Sequence, residues 1–63
     1  MQEYGKIIEY NGSDGIILTK NEQVEFAQED LLCAVKVGDY VVFRREKRGN
    51  LLLARFINII DVL

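Results

Sequence analysis

The sequence predicts a small all-β protein, a five-stranded antiparallel Greek-key barrel, and three observations support this fold class. Short apolar runs rich in Ile, Val, Tyr and Phe recur along the 63 residues, and Gly, Asn, Asp and Ser separate them. In the third run Val24 and Phe26 are separated by a polar residue, and in the fourth Val41 and Phe43 occupy alternate positions, as expected of strands with one buried face. A single longer connection, between these two runs, is typical of a Greek-key barrel. We expect one domain over residues 1–63.

The first three strands are joined by short turns. Asn11-Gly12 and Asp14-Gly15 are turn dipeptides, because these residue types tolerate positive φ angles. A second tight turn is predicted near Asn21-Glu22, before a strand in which Val24 and Phe26 share a face. The five predicted strands cover residues 4–10, 16–19 or 16–20, 24–27, 40–45 and 51–60.

The segment 28–37 interrupts the alternation, and residues 29–34 are predicted to form one helical turn with acidic residues near its N-terminal end. In the fourth strand Val41 and Phe43 should face the core, while the side chains facing away should be Tyr40, Val42 and Arg44. Residues 47–50 are predicted to form a hairpin turn. An SH3-like barrel is the alternative fold, because a glycine–acid turn entering a strand is equally compatible with it.

Composition narrows the classes of protein. Hydrophobic residues make up 49% of the chain, which favours a compact core over disorder. Charged residues interrupt every apolar run, so no membrane association is predicted. The single cysteine, Cys33, excludes an internal disulfide framework, is interpreted as a small core residue and fits a cytoplasmic protein.

Charge is distributed unevenly along the chain. Residues 1–31 carry two basic and seven acidic side chains, a net charge of −5. Residues 32–63 carry six basic and three acidic side chains, a net charge of +3. We therefore expect an electrostatically polar molecule, one end of which repels polyanions while the other attracts them.

Catalysis is not predicted. The chain has no histidine, one serine and one cysteine, so neither a catalytic triad nor a zinc site can be assembled. The neighbouring acids Glu29 and Asp30 are better explained by a helical turn or by solvation than by acid–base chemistry. No cofactor and no metal are expected.

Nearly the whole chain, from Gly5 to about Phe56, resembles the cold-shock domain family, which has the oligonucleotide/oligosaccharide-binding (OB) fold. The family's opening Gly-Lys-Val-Lys-Trp-Phe-Asn is matched by Gly5-Lys6-Ile7-Ile8-Glu9-Tyr10-Asn11. Its two ribonucleoprotein motifs correspond to residues 14–19 and 24–28, and its closing strand pattern to residues 35–43. The resemblance implies an OB barrel with core positions at Ile7, Val24, Val41, Phe43 and Ala54.

The departures from the family fall on its ligand-binding face. In that family outward aromatic side chains stack on bases and lysines meet phosphates. The matching aromatic and histidine positions here hold Glu9, Ile16, Leu18, Glu25, Ala27 and Gln28, and two lysine positions hold Ile8 and Asp14. Only Tyr10 remains aromatic there. Each base–aromatic stack contributes about 1–3 kcal/mol, so the family's usual mode of binding should be weak in this chain.

Two functions remain open. The first is a non-catalytic module that binds single-stranded RNA or DNA through a basic cluster and one stacking candidate, with predicted contacts at Lys6, Tyr10, Arg44, Arg45, Lys47, Arg48 and Arg55. The alternative is a protein-interaction or oligomerisation module with an aliphatic surface at Ile8, Ile16 and Leu18. The apolar segment 56–63 either pairs with a second copy to form a homodimer or covers these aliphatic residues.

Overall fold

The computed structural model describes residues 2–60, which form five strands and one short 3-10 turn. The strands are β1 (Gln2–Tyr10), β2 (Asp14–Leu18), β3 (Gln23–Ala27), β4 (Tyr40–Arg48) and β5 (Leu51–Ile59). They form one antiparallel sheet in the order β3-β2-β1-β4-β5. β3 and β5 pack against each other and close this sheet into a barrel, which confirms the predicted fold class.

The predicted strands are all present, with shifted boundaries. β1 begins at Gln2 rather than residue 4, and β4 continues to Arg48 rather than residue 45. The predicted helical turn is shorter and earlier, because the 3-10 turn spans only Gln28–Asp30. Cys33 follows it in the loop, is half-buried and donates its Sγ hydrogen to Asn58 Oδ1 at 3.2 Å, so the expectation that it belongs to the core is wrong.

Eight buried apolar side chains form the core of the barrel: Ile7, Ile17, Val24, Phe26, Val41, Phe43, Ala54 and Ile57. All five core positions implied by the family resemblance are among them. Burial of each large aliphatic or aromatic side chain contributes about 1.5–3 kcal/mol, so these residues dominate the stability of a chain this small.

The β1–β2 turn is held by Asn11, as the turn dipeptides predicted. The Asn11 side-chain oxygen accepts hydrogen bonds from the backbone N–H groups of Ser13 and Asp14, at 2.8 and 2.9 Å. Gly12 lies between them with a φ of 95°, a conformation that favours glycine. This turn fixes the register of the two strands that carry the family's ligand-binding face.

Two bulges change which side chains face outward. In β1 the register moves from Ile7 opposite Ile17 to Glu9 opposite Ile16, so Ile8 has no partner in β2. In β5 a bulge at Phe56, which has a φ of 56°, leaves the aromatic ring exposed. This second bulge allows Ala54 and Ile57, three residues apart, both to enter the core.

Candidate functional sites

Two of the cations predicted to bind nucleic acid contact one buried carboxylate. Asp30 accepts hydrogen bonds from the backbone N–H of Ala27 at 3.2 Å, from Arg55 Nε at 3.2 Å and from Arg48 Nη2 at 3.4 Å. Arg55 also donates from Nη1 to Glu46 at 3.0 Å. These contacts tie the 3-10 turn to β4 and β5, and they satisfy a carboxylate that is otherwise out of contact with water.

Arg45 is also paired within the chain. Its Nη2 lies 2.6 Å from Glu22 Oε1 and its Nε 2.8 Å from Glu3 Oε2, although the Nε–H does not point along a hydrogen bond to Glu3. The hydrogen bond with Glu22 raises the pKa of Arg45 above its ordinary value. Arg45 therefore connects β4 with β1 and with the β2–β3 turn.

The remaining predicted nucleic-acid contacts fall into two groups. Tyr10 is half-buried, and its ring lies 5.7 Å from the ring of the core residue Phe26, so it packs against the core instead of standing free. Lys6, Arg44 and Lys47 are exposed and form no ion pair with any of residues 2–60. These three cations are free to meet a ligand.

A surface formed by β1 and β4 brings two of these cations next to exposed aromatic side chains. The ladder sets Gln2 opposite Arg44, Tyr4 opposite Val42 and Lys6 opposite Tyr40, all on the outer face of the barrel. We call this the β1–β4 face, defined by Gln2, Tyr4, Lys6, Tyr40, Val42 and Arg44. Tyr4 is 63% exposed and Tyr40 51% exposed. Lys6 Nζ lies 5.6 Å from the centre of the Tyr40 ring, and no member of the face is acidic.

The β1–β4 face continues into a shallow depression of about 290 Å³. Gln2, Val42 and Arg44 line one side of it, and Leu32, Phe56 and Asn58 line the other. Phe56 lies under the Arg55 guanidinium, whose central carbon is 5.0 Å from the ring centre. Aromatic and cationic groups thus extend from β1 across β4 to the bulge in β5.

A second concave surface lies over the other half of β1, at the position of the family's ligand-binding face. This groove has a volume of about 760 Å³. Its apolar walls include Ile8, Ile16, Val37, Leu51 and Leu53, and its carboxylates are Glu9, Asp14 and Glu25. No lysine or arginine among residues 2–60 lines it.

The aliphatic residues predicted as a protein interface are divided between the two surfaces. Ile8 and Ile16 line the groove, whereas Leu18 lies opposite Lys6 and beside the β1–β4 face. Leu51 and Leu53 of β5 lie beside the two isoleucines, and residues 56–60 of the apolar segment do not line the groove. The final residues of the apolar segment, 61–63, lie outside the described residues.

Neither tyrosine of this face was among the nucleic-acid contacts predicted from the sequence, and Tyr40 was predicted only to face outward. The available signal was the alternation of Tyr4 with Lys6 along β1. The two tyrosines come together only through the pairing of β1 with β4, which the alternation does not specify.

The antiparallel order and the contact between β3 and β5 define a small OB-type barrel of the cold-shock kind. A similar solved structure is Drosophila Unr CSD456, a cold-shock-domain structure, with a TM-score of 0.83 and 18% sequence identity. The match covers 97% of this chain and 27% of that chain, so this chain spans about a quarter of its length. The likeness establishes the fold and decides against the SH3-like alternative. No family model and no curated protein matches the sequence.

The structure adds two observations about what residues 2–60 contain. None of their elements is a helix long and apolar enough to cross a membrane. Within the same range, no group of three or more His, Cys, Asp or Glu side chains is placed to hold a metal ion.

Proposed function

We propose that the protein is a non-catalytic module that binds single-stranded nucleic acid through the β1–β4 face. The observation that carries the proposal is the placement of Tyr4 and Tyr40 beside Lys6 and Arg44, on a surface without a carboxylate. Single-stranded nucleic acid is bound by the same combination, in which aromatic rings stack on bases and cations follow the backbone. The similarity to a cold-shock-domain structure supports the class of ligand.

The spacing of the two tyrosines suits neighbouring bases. They occupy diagonal positions of an antiparallel pair, which are roughly 7–8 Å apart in a sheet. Each stack would contribute about 1–3 kcal/mol. Lys6 and Arg44 would meet phosphates on either side. Lys47 lies on the other face of β4, so it is not part of this contact.

The proposal changes the roles of several residues predicted from the sequence. Lys6 and Arg44 keep their predicted contacts with phosphate, whereas Lys47 lies outside the proposed contact. Tyr4 and Tyr40 replace Tyr10 as stacking residues, because Tyr10 packs against Phe26. Three of the predicted arginines instead form ion pairs with carboxylates of the same chain and stabilise the barrel in this proposal: Arg45, Arg48 and Arg55.

The test is a titration of isotope-labelled protein with a pyrimidine-rich single strand of about ten nucleotides, at about 50 mM and about 200 mM salt. NMR shifts should map to Tyr4, Lys6, Tyr40 and Arg44 and should weaken at the higher salt. The double variant Tyr4→Leu with Tyr40→Leu should lose at least tenfold in affinity, because it keeps apolar bulk but removes the rings.

The matched control replaces the same residues by phenylalanine, which keeps both rings and should retain most of the affinity. Absence of shifts at millimolar oligonucleotide would refute the proposal. So would shifts confined to the groove over the second half of β1, or equal affinity of the leucine and phenylalanine variants.

A further inference from the structure

We propose that the groove lined by Ile8 and Ile16 binds an extended segment of a partner protein in which aliphatic residues are flanked by lysine or arginine. The groove and the β1–β4 face are separate surfaces, so this proposal does not depend on nucleic-acid binding. It assigns a ligand to the part of the barrel that holds most of the positions at which the cold-shock family's aromatic and histidine residues are replaced.

The apolar part of the groove is suited to aliphatic side chains. Its volume of about 760 Å³ falls within the range of clefts that enclose small ligands, and it accommodates several side chains. Ile8 and Ile16 lie on one side, and Val37, Leu51 and Leu53 complete the walls. Ligand sites are typically concave and mostly apolar with a few polar groups, and this groove has that composition.

The charges of the groove select a cationic partner. In the sheet register Glu9 lies opposite Ile16, and Ile16 lies opposite Glu25, so the three form one row across β1, β2 and β3. Neighbouring strands are roughly 4.8 Å apart, which places the two carboxylates on either side of an aliphatic centre. A segment with an aliphatic residue over Ile16 would bring basic neighbours within reach of both glutamates.

These carboxylates are available to a ligand. Glu9, Asp14 and Glu25 are exposed, and none forms an ion pair with another residue in the range 2–60. The same three charges repel phosphate, and the ring of Tyr10, which also lines the groove, is half-buried against Phe26 instead of free to stack on a base. A basic peptide fits this surface and a nucleic acid does not.

The groove is formed by well-packed parts of the barrel. Gly15 lies on its wall, where an added methyl group would collide with the Phe26 ring and would lie 2.6 Å from the Glu9 carbonyl oxygen. On the opposite side, the turn that carries Val37 is fixed by Asp39, which accepts hydrogen bonds at 2.9 Å from both the backbone N–H and the Nζ of Lys36. A pre-formed surface limits the entropy lost on binding.

The experiment uses a labelled peptide of about nine residues in which valine alternates with lysine, a length that spans the groove in extended form. Two control peptides replace every lysine by glutamate or every valine by serine. Binding is followed by fluorescence anisotropy at about 50 mM salt and mapped by NMR. The valine–lysine peptide should shift Ile8, Ile16 and Glu25, and both controls should bind at least tenfold more weakly.

Protein variants provide the second arm of the test. Glu9→Gln combined with Glu25→Gln removes two exposed charges and should lower the affinity for the valine–lysine peptide by about tenfold. Glu29→Gln is the matched control, because Glu29 is an exposed glutamate outside the groove, and it should change the affinity less than twofold. Ile16→Ser should weaken binding by a similar factor without altering the salt dependence.

Several outcomes would overturn the proposal. Equal binding of the three peptides would remove the chemical selectivity, and peptide shifts on the β1–β4 face would place the site elsewhere. A concentration-dependent increase in molecular size that protects Ile16 would identify a second copy of the chain as the occupant. The oligonucleotide and the peptide are titrated separately and their shifts are mapped onto two surfaces that share no residue, so failure of one proposal is distinguishable from failure of the other.

Discussion

The two halves of β1 present surfaces of opposite character. The first half exposes Tyr4 and Lys6 to solvent, whereas the second half lines an acidic groove with Ile8 and Glu9. The difference follows from the register, because β4 pairs with residues 2–6 of β1 and β2 pairs with residues 6–10. One strand of a small barrel therefore contributes to two chemically different surfaces by exchanging neighbours at Lys6.

The acidic first half and the basic second half of the sequence form ion pairs with each other in the folded barrel. Arginines from the second half of the chain pair with acids from the first half, as in the contacts of Arg45 with Glu3 and of Arg55 with Asp30. The opposite charges of the two halves are therefore partly neutralised across the barrel. Among the charged residues of 2–60 without an ion pair, Lys6 and Arg44 lie on the β1–β4 face and Glu9, Asp14 and Glu25 lie in the groove, whereas Lys20 and Lys47 lie on neither surface.

The largest effect is expected from Gly15→Ala on the groove wall. The added methyl group collides with the Phe26 ring and with backbone, so we expect a loss of about 3 kcal/mol in the free energy of unfolding. Gly12→Ala is the control. A methyl group at Gly12 would meet open space, and only the φ of 95° disfavours it. We therefore expect a loss of about 1 kcal/mol in the free energy of unfolding. Denaturant titrations measure both, and equal losses would show that the wall is not tightly packed.

Arg44 and Arg55 lie opposite each other in β4 and β5, and their substitution should separate binding from stability. Arg55→Ala leaves the buried Asp30 with one cation fewer and should destabilise the fold by about 2 kcal/mol. Arg44→Ala should stay within about 0.5 kcal/mol of wild type, because Arg44 is exposed. Thermal or urea unfolding gives the comparison. Equal stability of the two variants would contradict a structural role for Arg55.

Neutralising the two surfaces should change oligonucleotide binding in different ways. Lys6→Gln with Arg44→Gln should lower the affinity about tenfold and reduce the salt slope by about two. Glu9→Gln with Glu25→Gln should leave the slope unchanged and raise the affinity less than about threefold, since these charges lie outside the proposed contact. Fluorescence anisotropy of a labelled oligonucleotide at several salt concentrations measures both the affinity and the salt slope of each variant. A reduced slope in the glutamate variant would place the nucleic acid in the groove.

The smallest expected effect is a loss of fold stability at acidic pH through the carboxylate of Asp39. The hydrogen bond from the Lys36 side chain, followed by that from its backbone N–H, lowers the pKa of Asp39 below its ordinary value of 3.8. Because the folded-state pKa is depressed, this carboxylate stabilises the fold above about pH 4, and the contribution is lost as the pH falls through the lowered value.

Asp39→Asn should therefore be less stable than wild type at neutral pH, and the difference should shrink below about pH 4. Unfolding curves recorded at a series of pH values test this. A difference that persists unchanged at low pH would assign the stability of the 36–39 turn to its shape rather than to the charge.

Alternation and turn residues were sufficient to predict the five strands and half of the core, whereas Ile17 and Ile57 were not predicted. Val24 with Phe26 and Val41 with Phe43 follow the period of two, and all four are buried. Asn11-Gly12 marked the first hairpin because these residue types tolerate positive φ, and Gly12 has a φ of 95° in the structure. The Asn11 side-chain oxygen holds the same turn through two backbone N–H groups. Local chemistry determines these features, so a local pattern reveals them.

The candidate sites could be predicted only in part. The bulge at Ile8 and the assignment of cations to carboxylates depend on how distant segments meet. A cluster such as Arg44-Arg45-Glu46-Lys47-Arg48 looks uniform in sequence, yet Arg45 and Arg48 are paired and Arg44 is not. Adjacent residues of a strand face opposite sides of the sheet and meet different partners, which composition alone does not specify.

The contacts of Asp30 also bear on how long the folded molecule persists. Asp30 is 25 residues from Arg55 and 18 from Arg48, so the bonds require closure of long loops and are expected to form late in folding. Interactions absent from the transition state lengthen the lifetime of the native state without speeding its formation. Stopped-flow measurements on Arg55→Ala should show unfolding accelerated roughly thirtyfold and refolding nearly unchanged. The buried carboxylate would then act as a kinetic latch on the barrel.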